Sequence, residues 1–285
     1  MDKITSPTPI AILMATYNGE RYVKEQLDSL VRQDNDQWTL FIHDDGSSDS
    51  TPQILRQYAD NHANIHILDY APQGGAMKNF FSLLQRVEAD YYMFCDQDDV
   101  WKEEKVSISL EEMKNMESQH KSKPVIVFTD LHVTDSSLAI IQDSFWREIC
   151  LYPEYITTFD EIAASTAVTG CAMLFNQKAK DAIVFPAPYA TMHDAWITAC
   201  VLKHGGVIKP IPSKMVFYRQ HEDNCIGAED LNHITLMYRI KNFKRMQQKN
   251  WKHYKMLRSL DYGSIVKFFR YKMIYKKRIR NKMQK

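Results

Sequence analysis

The chain has no run of 18 or more apolar residues, so no segment is long enough to cross a bilayer as a helix. Its five cysteines, Cys95, Cys150, Cys171, Cys200 and Cys225, are odd in number, widely spaced and without a C-x-x-C pair. This argues against a disulfide framework or a zinc knuckle and predicts a reducing, cytoplasmic setting. Met1 to Pro9 is polar and lacks the apolar centre of a signal peptide. No G-x-G-x-x-G follows an apolar run, which argues against a dinucleotide dehydrogenase. No glycine-rich phosphate loop follows the first such run, which argues against an enzyme that makes sugar nucleotides. Internal repeats are absent, and so is any recognisable nucleic-acid-binding module.

Acidic residues are nearly missing from the C-terminal end. From Arg239 to Lys285, Asp261 is the single acid against 17 Lys and Arg, which leaves 19 basic and 34 acidic residues for the rest of the 285-residue chain. An acidic body with a basic tail suits a protein that meets an anionic surface. Two amphipathic helices are predicted in the tail. One carries Phe243, Met246, Trp251, Tyr254 and Leu257; the other carries Ile265, Phe268, Phe269, Met273 and Ile279, with a break at Asp261–Ser264. The tail either lies on an anionic membrane, the favoured expectation, or folds back on the acidic body.

Apolar runs alternate with helical spacing over the first 130 residues. Strands are predicted at 10–15, 38–43, 64–70, 91–95 and 124–129. Helices are predicted around 22–31, from Thr51 as a cap with Pro52 at its first position, and at 77–87 and 103–118. Such alternation predicts an α/β fold with a mostly parallel sheet and helices on both faces. Ligands of such sheets sit beyond the carboxyl ends of the strands. Polar clusters at 16–19, 44–49 and 96–99 all follow strands, which makes one site of three motifs.

Asp96-Gln97-Asp98-Asp99 places three carboxylates in four residues, which repel one another unless a cation neutralises them. Oxygen ligands of this kind suit Mg²⁺ or Mn²⁺ and leave positions for phosphate oxygens. The alternative is an acidic surface turn ahead of a helix. Asp44-Asp45-Gly46-Ser47 fits a base-and-ribose pocket, or an Asx turn before a helix. Thr16-Tyr17-Asn18-Gly19 offers hydrogen bonds and an aromatic face to the same nucleotide, or forms an ordinary turn. Asp194 precedes the apolar run Ala195–Leu202 and is either a helix cap or a carboxylate whose basicity is raised beside Met192 and Trp196.

The series A-T-Y-N-G-E (15–20), D-D-G-S-S-D-S-T (44–51) and C-D-Q-D-D-V-W (95–101), with M-H-D-A-W (192–196) and Y-R-Q-H (218–221), resembles family 2 glycosyltransferases of the GT-A fold. It is most similar to their bacterial rhamnosyltransferase-like branch, over about residues 9 to 228. The resemblance implies donor contacts from Thr16, Tyr17 and Asp45, with Asn18, Asp44, Asp96 and Gln97 on the donor side. It implies a cation and diphosphate at Asp96 and Asp98, with His221 reaching them and the role of Asp99 open. Val168–Ala172 resembles the loop before the acceptor region, so Gly170, Cys171, His193 and Trp196 fall on the acceptor side. His193 is expected to be a hydrogen-bonding pocket wall, and Asp194 matches the family's catalytic base.

The implied activity is inverting transfer from a dTDP or UDP sugar, rhamnose first, to a saccharide or lipid-linked acceptor in bacterial surface polysaccharide synthesis. The implied place is the inner face of the cell membrane. The alternatives are a UDP-hexose donor or a non-catalytic sugar-nucleotide-binding protein. The expected organisation is a GT-A domain over 1–238, split into a donor half (9–130) and an acceptor half (131–238), and a helical basic appendage over 239–285.

Overall fold

The computed structural model describes residues 3–222 and 243–284. Cys225, the end of the family likeness and the expected boundary at 238 lie outside them. Among the described residues, nine strands form one sheet: β2 (Ile10–Thr16), β3 (Trp38–Asp44), β4 (Ile65–Ile67), β6 (Tyr91–Cys95), β7 (Val100–Trp101), β8 (Val125–Thr134), β9 (Ile140–Gln142), β10 (Met173–Asn176) and β11 (Val207–Arg219). A separate parallel pair joins β1 (Ile4–Thr5) to β5 (Val87–Glu88). The order across the main sheet is β4-β3-β2-β6-β10-β8-β11-β7, with β9 on β8. The β4-β3-β2-β6 part is parallel, as the alternating pattern predicts. Beyond β6 the sheet becomes mixed: β10 runs antiparallel to both β6 and β8, and β11 runs parallel to β8.

Both faces are covered, because alternate residues of each central strand enter different cores. Ala11, Leu13, Tyr92, Phe94, Met173 and Phe175 pack with α3 (Ala76–Arg86) and α7 (His193–Lys203). Ile10, Ile12, Met14, Met93 and Leu174 pack with α1 (Val23–Val31), α2 (Thr51–Asn61) and α4 (Lys105–Gln119). Two short helices, α5 (Phe145–Glu148) and α6 (Gln177–Asp181), complete the body.

Three local expectations change. The predicted strand at 64–70 is only Ile65–Ile67, because Tyr70 leaves the edge to stack on His43 at 3.6 Å between ring centroids. Thr51 is the first residue of α2 and not its cap; Ser50 holds that position without a side-chain cap bond. The Thr51 hydroxyl accepts instead from Gly19 N–H at 2.8 Å. The strand predicted to end at Thr129 runs on to Thr134, since the carboxylate of buried Asp130 is satisfied by Ser144 Oγ and the backbone N–H groups of Leu131 and Trp146.

The tail forms α8 (Phe243–Arg258) and α9 (Ile265–Met283), capped by Ser264, whose hydroxyl accepts from Lys267 N–H. Their inner faces dock on the body. Tyr254, Met256, Leu257, Leu260, Tyr262, Phe268 and Tyr275 are all buried in the same core as α7. The docking is also ionic, with Lys203 on Asp261 at 2.8 Å and Arg278 on Glu161 at 2.7 Å. Lys272 Nζ donates to the carbonyls of Ala163 and Ala164 at 3.0 and 3.1 Å. No helix among the described residues is long and apolar enough to cross a membrane.

Candidate active site

The carboxyl ends of β2, β3 and β6 lie on one edge, and their loops are tied into a single surface. Thr16 Oγ1 donates to Asp44 Oδ1 at 2.8 Å, and Ser47 N–H donates to Asp44 Oδ2 at 2.8 Å. Asn18 N–H donates to Ser47 Oγ, while Asn18 Oδ1 accepts from Ser48 N–H. Gln97 clamps Tyr17 from the acidic turn: its Oε1 accepts from Tyr17 N–H at 2.9 Å and its Nε2 donates to Tyr17 carbonyl at 3.0 Å. Gly19 leaves room for this clamp, since a Cβ there would displace the Gln97 amide. The Tyr17 ring is left 57% exposed above this clamp. Asp45 turns to the loop before α3, where the N–H groups of Gln73, Gly74 and Gly75 all point at its carboxylate. Partial burial pushes its pKa up, but those three donors outweigh burial and hold it below the usual range.

The antiparallel β10 brings the Gly170–Ala172 turn to this edge. Leu174 pairs with Met93, so the residues just before Met173 lie beside Cys95 and Asp96. Ligand atoms of Asp96, Asp99 and Cys171 lie within 4.8 Å of one another. Burial first, then the charges of Asp98 and Asp194, raise the Asp96 pKa to about 7. Asp99 is fully buried; its Oδ1 accepts from Arg219 N–H at 3.1 Å and its Oδ2 has no hydrogen-bond partner among the described residues. Burial and the neighbouring Asp98 and Asp96 push its pKa well up. Burial also keeps the Cys171 thiol protonated. Asp98, with a 17% exposed side chain, pairs through Oδ2 with His221 Nε2 at 2.9 Å. Two carboxylates whose pKa values rise together, one with an unpartnered buried oxygen, form a site that a divalent cation would relax.

Asp194 lies near enough for its charge to act on Asp96. It is the second residue of α7, not its cap; Met192 is the cap. Asp194 Oδ2 accepts from Gly170 N–H at 3.1 Å, and Oδ1 contacts Ala195 N–H at 2.6 Å. Burial raises its pKa to about 6 against the pull of those N–H groups. The Gly170–Ala172 turn therefore touches Asp194 at one end and the acidic cluster at the other.

Two acceptor-side expectations are corrected. His193 is buried between Phe80 and Phe94, at centroid distances of 4.4 and 4.7 Å, and neither ring nitrogen has a partner among the described residues. Burial pulls its pKa down to about 3, so it is a neutral core residue and not a hydrogen-bonding pocket wall. Trp196 is also core: it is 2% exposed and its Nε1 donates to Val184 carbonyl at 2.9 Å. His193 and Trp196, three residues apart, share one buried face of α7, while Asp194 turns to Gly170.

Sequence reasoning missed Lys105 and Arg219. Lys105 is fully buried under the acidic turn, its Nζ 3.5 Å from the centre of the Trp101 ring, and burial pulls its pKa down to about 7. Arg219 lies inside the Y-R-Q-H motif, which was noted only as part of the family likeness.

A mixed sheet with interlocked polar loops at the carboxyl ends of β2, β3 and β6, and an acidic turn near a lone carboxylate, is the GT-A type of glycosyltransferase fold. Residues 11–179 match the family model for glycosyl transferase family 2, and the chain belongs to that family. The dTDP-rhamnosyl transferase RfbG of Shigella flexneri is 29% identical over 229 residues, covering 75% of this chain and 74% of RfbG. The UDP-Glc:alpha-D-GlcNAc-diphosphoundecaprenol beta-1,3-glucosyltransferase WfgD of Escherichia coli is 26% identical over 104 residues, 36% of this chain and 40% of WfgD. Among solved structures, S. aureus TarS 1-349 in complex with UDP-GlcNAc aligns with a TM-score of 0.56 at 19% identity, covering 80% of this chain and 61% of that one. The mannosyltransferase PcManGT from Pyrobaculum calidifontis, in complex with GDP-Man and Mn²⁺, aligns with a TM-score of 0.55 at 15% identity, covering 76% and 58%. This chain thus spans about three fifths of those solved chains, and at such identities the likeness is one of fold.

Proposed function

We propose that this chain is an inverting, metal-dependent glycosyltransferase. It transfers a sugar, rhamnose from dTDP-rhamnose ahead of UDP-hexoses, to a hydroxyl of a lipid-linked saccharide in bacterial surface polysaccharide synthesis. The observation that carries this reading is the nearness of Asp194 to the Asp96 cluster, both held against the Gly170–Ala172 turn. The extended similarity to RfbG favours the dTDP-rhamnose donor, and the lipid-diphosphate acceptor in the name of WfgD favours the lipid-linked acceptor.

In this reading Tyr17 offers its exposed ring to the base, while Thr16, Asn18, Asp44, Asp45 and Gln97 hold the pocket wall in shape. Asp96, Asp98, Asp99 and His221 would hold Mg²⁺ or Mn²⁺, which supplies charge neutralisation for the diphosphate. The acceptor hydroxyl attacks the anomeric carbon from the Asp194 side. Asp194 takes its proton as the new carbon–oxygen bond forms, and the bond to the diphosphate oxygen breaks on the opposite face, so configuration inverts. The raised basicity of Asp194 suits this task. Residues 9–130 then serve the donor and 131–238 the acceptor.

The appendage, with its inner faces docked, carries Val266, Phe269 and Met273 outward on α9 and Met246 and Trp251 outward on α8, among lysines and arginines. This apolar and basic face fits the headgroup region of an anionic membrane, where each nearby basic residue contributes about 1 kcal/mol.

The test is Asp194→Asn with Mn²⁺ and a panel of dTDP-rhamnose, UDP-glucose and UDP-GlcNAc. Nucleotide release on acceptor addition should fall by about 10²–10⁴-fold, with nucleotide affinity within twofold of wild type. Turnover kept at the wild-type level would remove Asp194 from the chemistry.

A further inference from the structure

Arg219 is 2% exposed, and its guanidinium bridges three segments of the fold. Nε donates to the Asp98 carbonyl at 2.8 Å, one terminal nitrogen to the Ser136 carbonyl at 2.7 Å, and the other to the Glu25 carboxylate. Its backbone N–H donates to Asp99 Oδ1 at 3.1 Å. The guanidinium carbon stands 4.5 Å from the centre of the Tyr22 ring, and that ring lies 4.6 Å from the ring of His221. His221 in turn meets Asp98 Oδ2 at 2.9 Å. The antiparallel pairing of Val216 with Trp101 and Phe217 with Val100 is what carries Arg219 alongside Asp98.

We infer that Arg219 is the positioning residue of the acidic turn, fixing the peptide of Asp98 and the carboxylate of Asp99 in the shape that receives a divalent cation. This inference rests on the proposed metal dependence. Three carboxylates in four residues repel one another, and a turn held only by its own backbone would spread them. The planar fork of Arg219 opposes that by donating in fixed directions to the Asp98 carbonyl and its neighbours. Its role is to hold the oxygens together before the cation arrives. Lysine keeps the charge but not the fork, so the two contributions are separable. Glu25, with a side chain 54% exposed, anchors the guanidinium from α1 and can be changed with little risk to the core.

The experiment is Mn²⁺ titration of the full chain by electron paramagnetic resonance, with dTDP present, on wild type and on Arg219→Met, Arg219→Lys and Glu25→Gln. Arg219→Met should weaken Mn²⁺ binding at least tenfold, while affinity for dTDP alone changes less than twofold. Arg219→Lys should recover only a minor part of the loss, and Glu25→Gln should weaken Mn²⁺ binding two- to fivefold at unchanged Tm. Wild-type Mn²⁺ affinity in both Arg219→Lys and Glu25→Gln overturns the inference, even if Arg219→Met does not fold. A wild-type protein that binds no Mn²⁺ overturns the metal-dependent reading and this inference with it; the variant results alone leave that reading standing.

Discussion

Asp194 and His193 are neighbours in sequence with opposite fates, and burial decides both. Burial raises the carboxyl of Asp194 to about 6 and pulls the imidazole of His193 down to about 3. A base must be unprotonated to act, so kcat/KM should lose about tenfold per pH unit below pH 6 and level off above it. A pH profile that stays flat down to pH 4.5 would contradict this. His193 remains neutral over the same range and has no partner among the described residues, so His193→Leu should keep kcat within about threefold of wild type and should not lower Tm, since it removes unpartnered buried nitrogens. A loss of 10²-fold in kcat would return His193 to the pocket wall. The sequence shows both residues in one motif but not which faces the cleft. That choice is set by packing against Phe80 and Phe94, rings more than ninety positions earlier in the chain. The Gln97 clamp and the Arg219 fork are hidden for the same reason: their partners, Tyr17 and Asp98, come close only after the sheet has formed.

Elements differ in how plainly the sequence announces them. β2 and β6 are almost wholly apolar, and β3 is interrupted only by Thr39 before its polar end at His43–Asp44, because a parallel strand is buried on both faces. β11 conceals itself: Pro210 and Pro212 stand inside Val207–Arg219, and proline usually argues against a central strand. The strand tolerates Pro212 where its register against β8 shifts between Ile211 and Lys214, and Pro210 where β8 is its single paired strand among the described residues, since β7 pairs only Val216 and Phe217. The tail helices were legible as amphipathic, but periodicity alone did not say that one face would be taken by the body. Their two faces now make separate predictions. Phe268→Ala on the inner face deletes a fully buried ring, at a cost of about 3–5 kcal/mol, and should lower Tm by about 10 °C. Val266→Ser with Met273→Ser on the outer face should leave Tm unchanged and cut sedimentation with phosphatidylglycerol vesicles severalfold. Equal binding by this double variant would leave the outer stripe without a lipid role.

At the scale of the whole molecule, the parallel and mixed parts of one sheet meet at β10, which lies antiparallel between β6 and β8. The turn before β10 hands Gly170 N–H to Asp194 and the Cys171 thiol to the acidic cluster. In the proposed reading, a diphosphate held at the acidic cluster lies against the same turn whose Gly170 N–H holds Asp194. Substrates should accordingly enter in a compulsory sequence, nucleotide sugar ahead of its co-substrate. Dead-end inhibition kinetics would display it: dTDP competitive against the sugar nucleotide, and an acceptor analogue uncompetitive against it. A random pattern would mean that the two halves of the cleft fill without regard to each other.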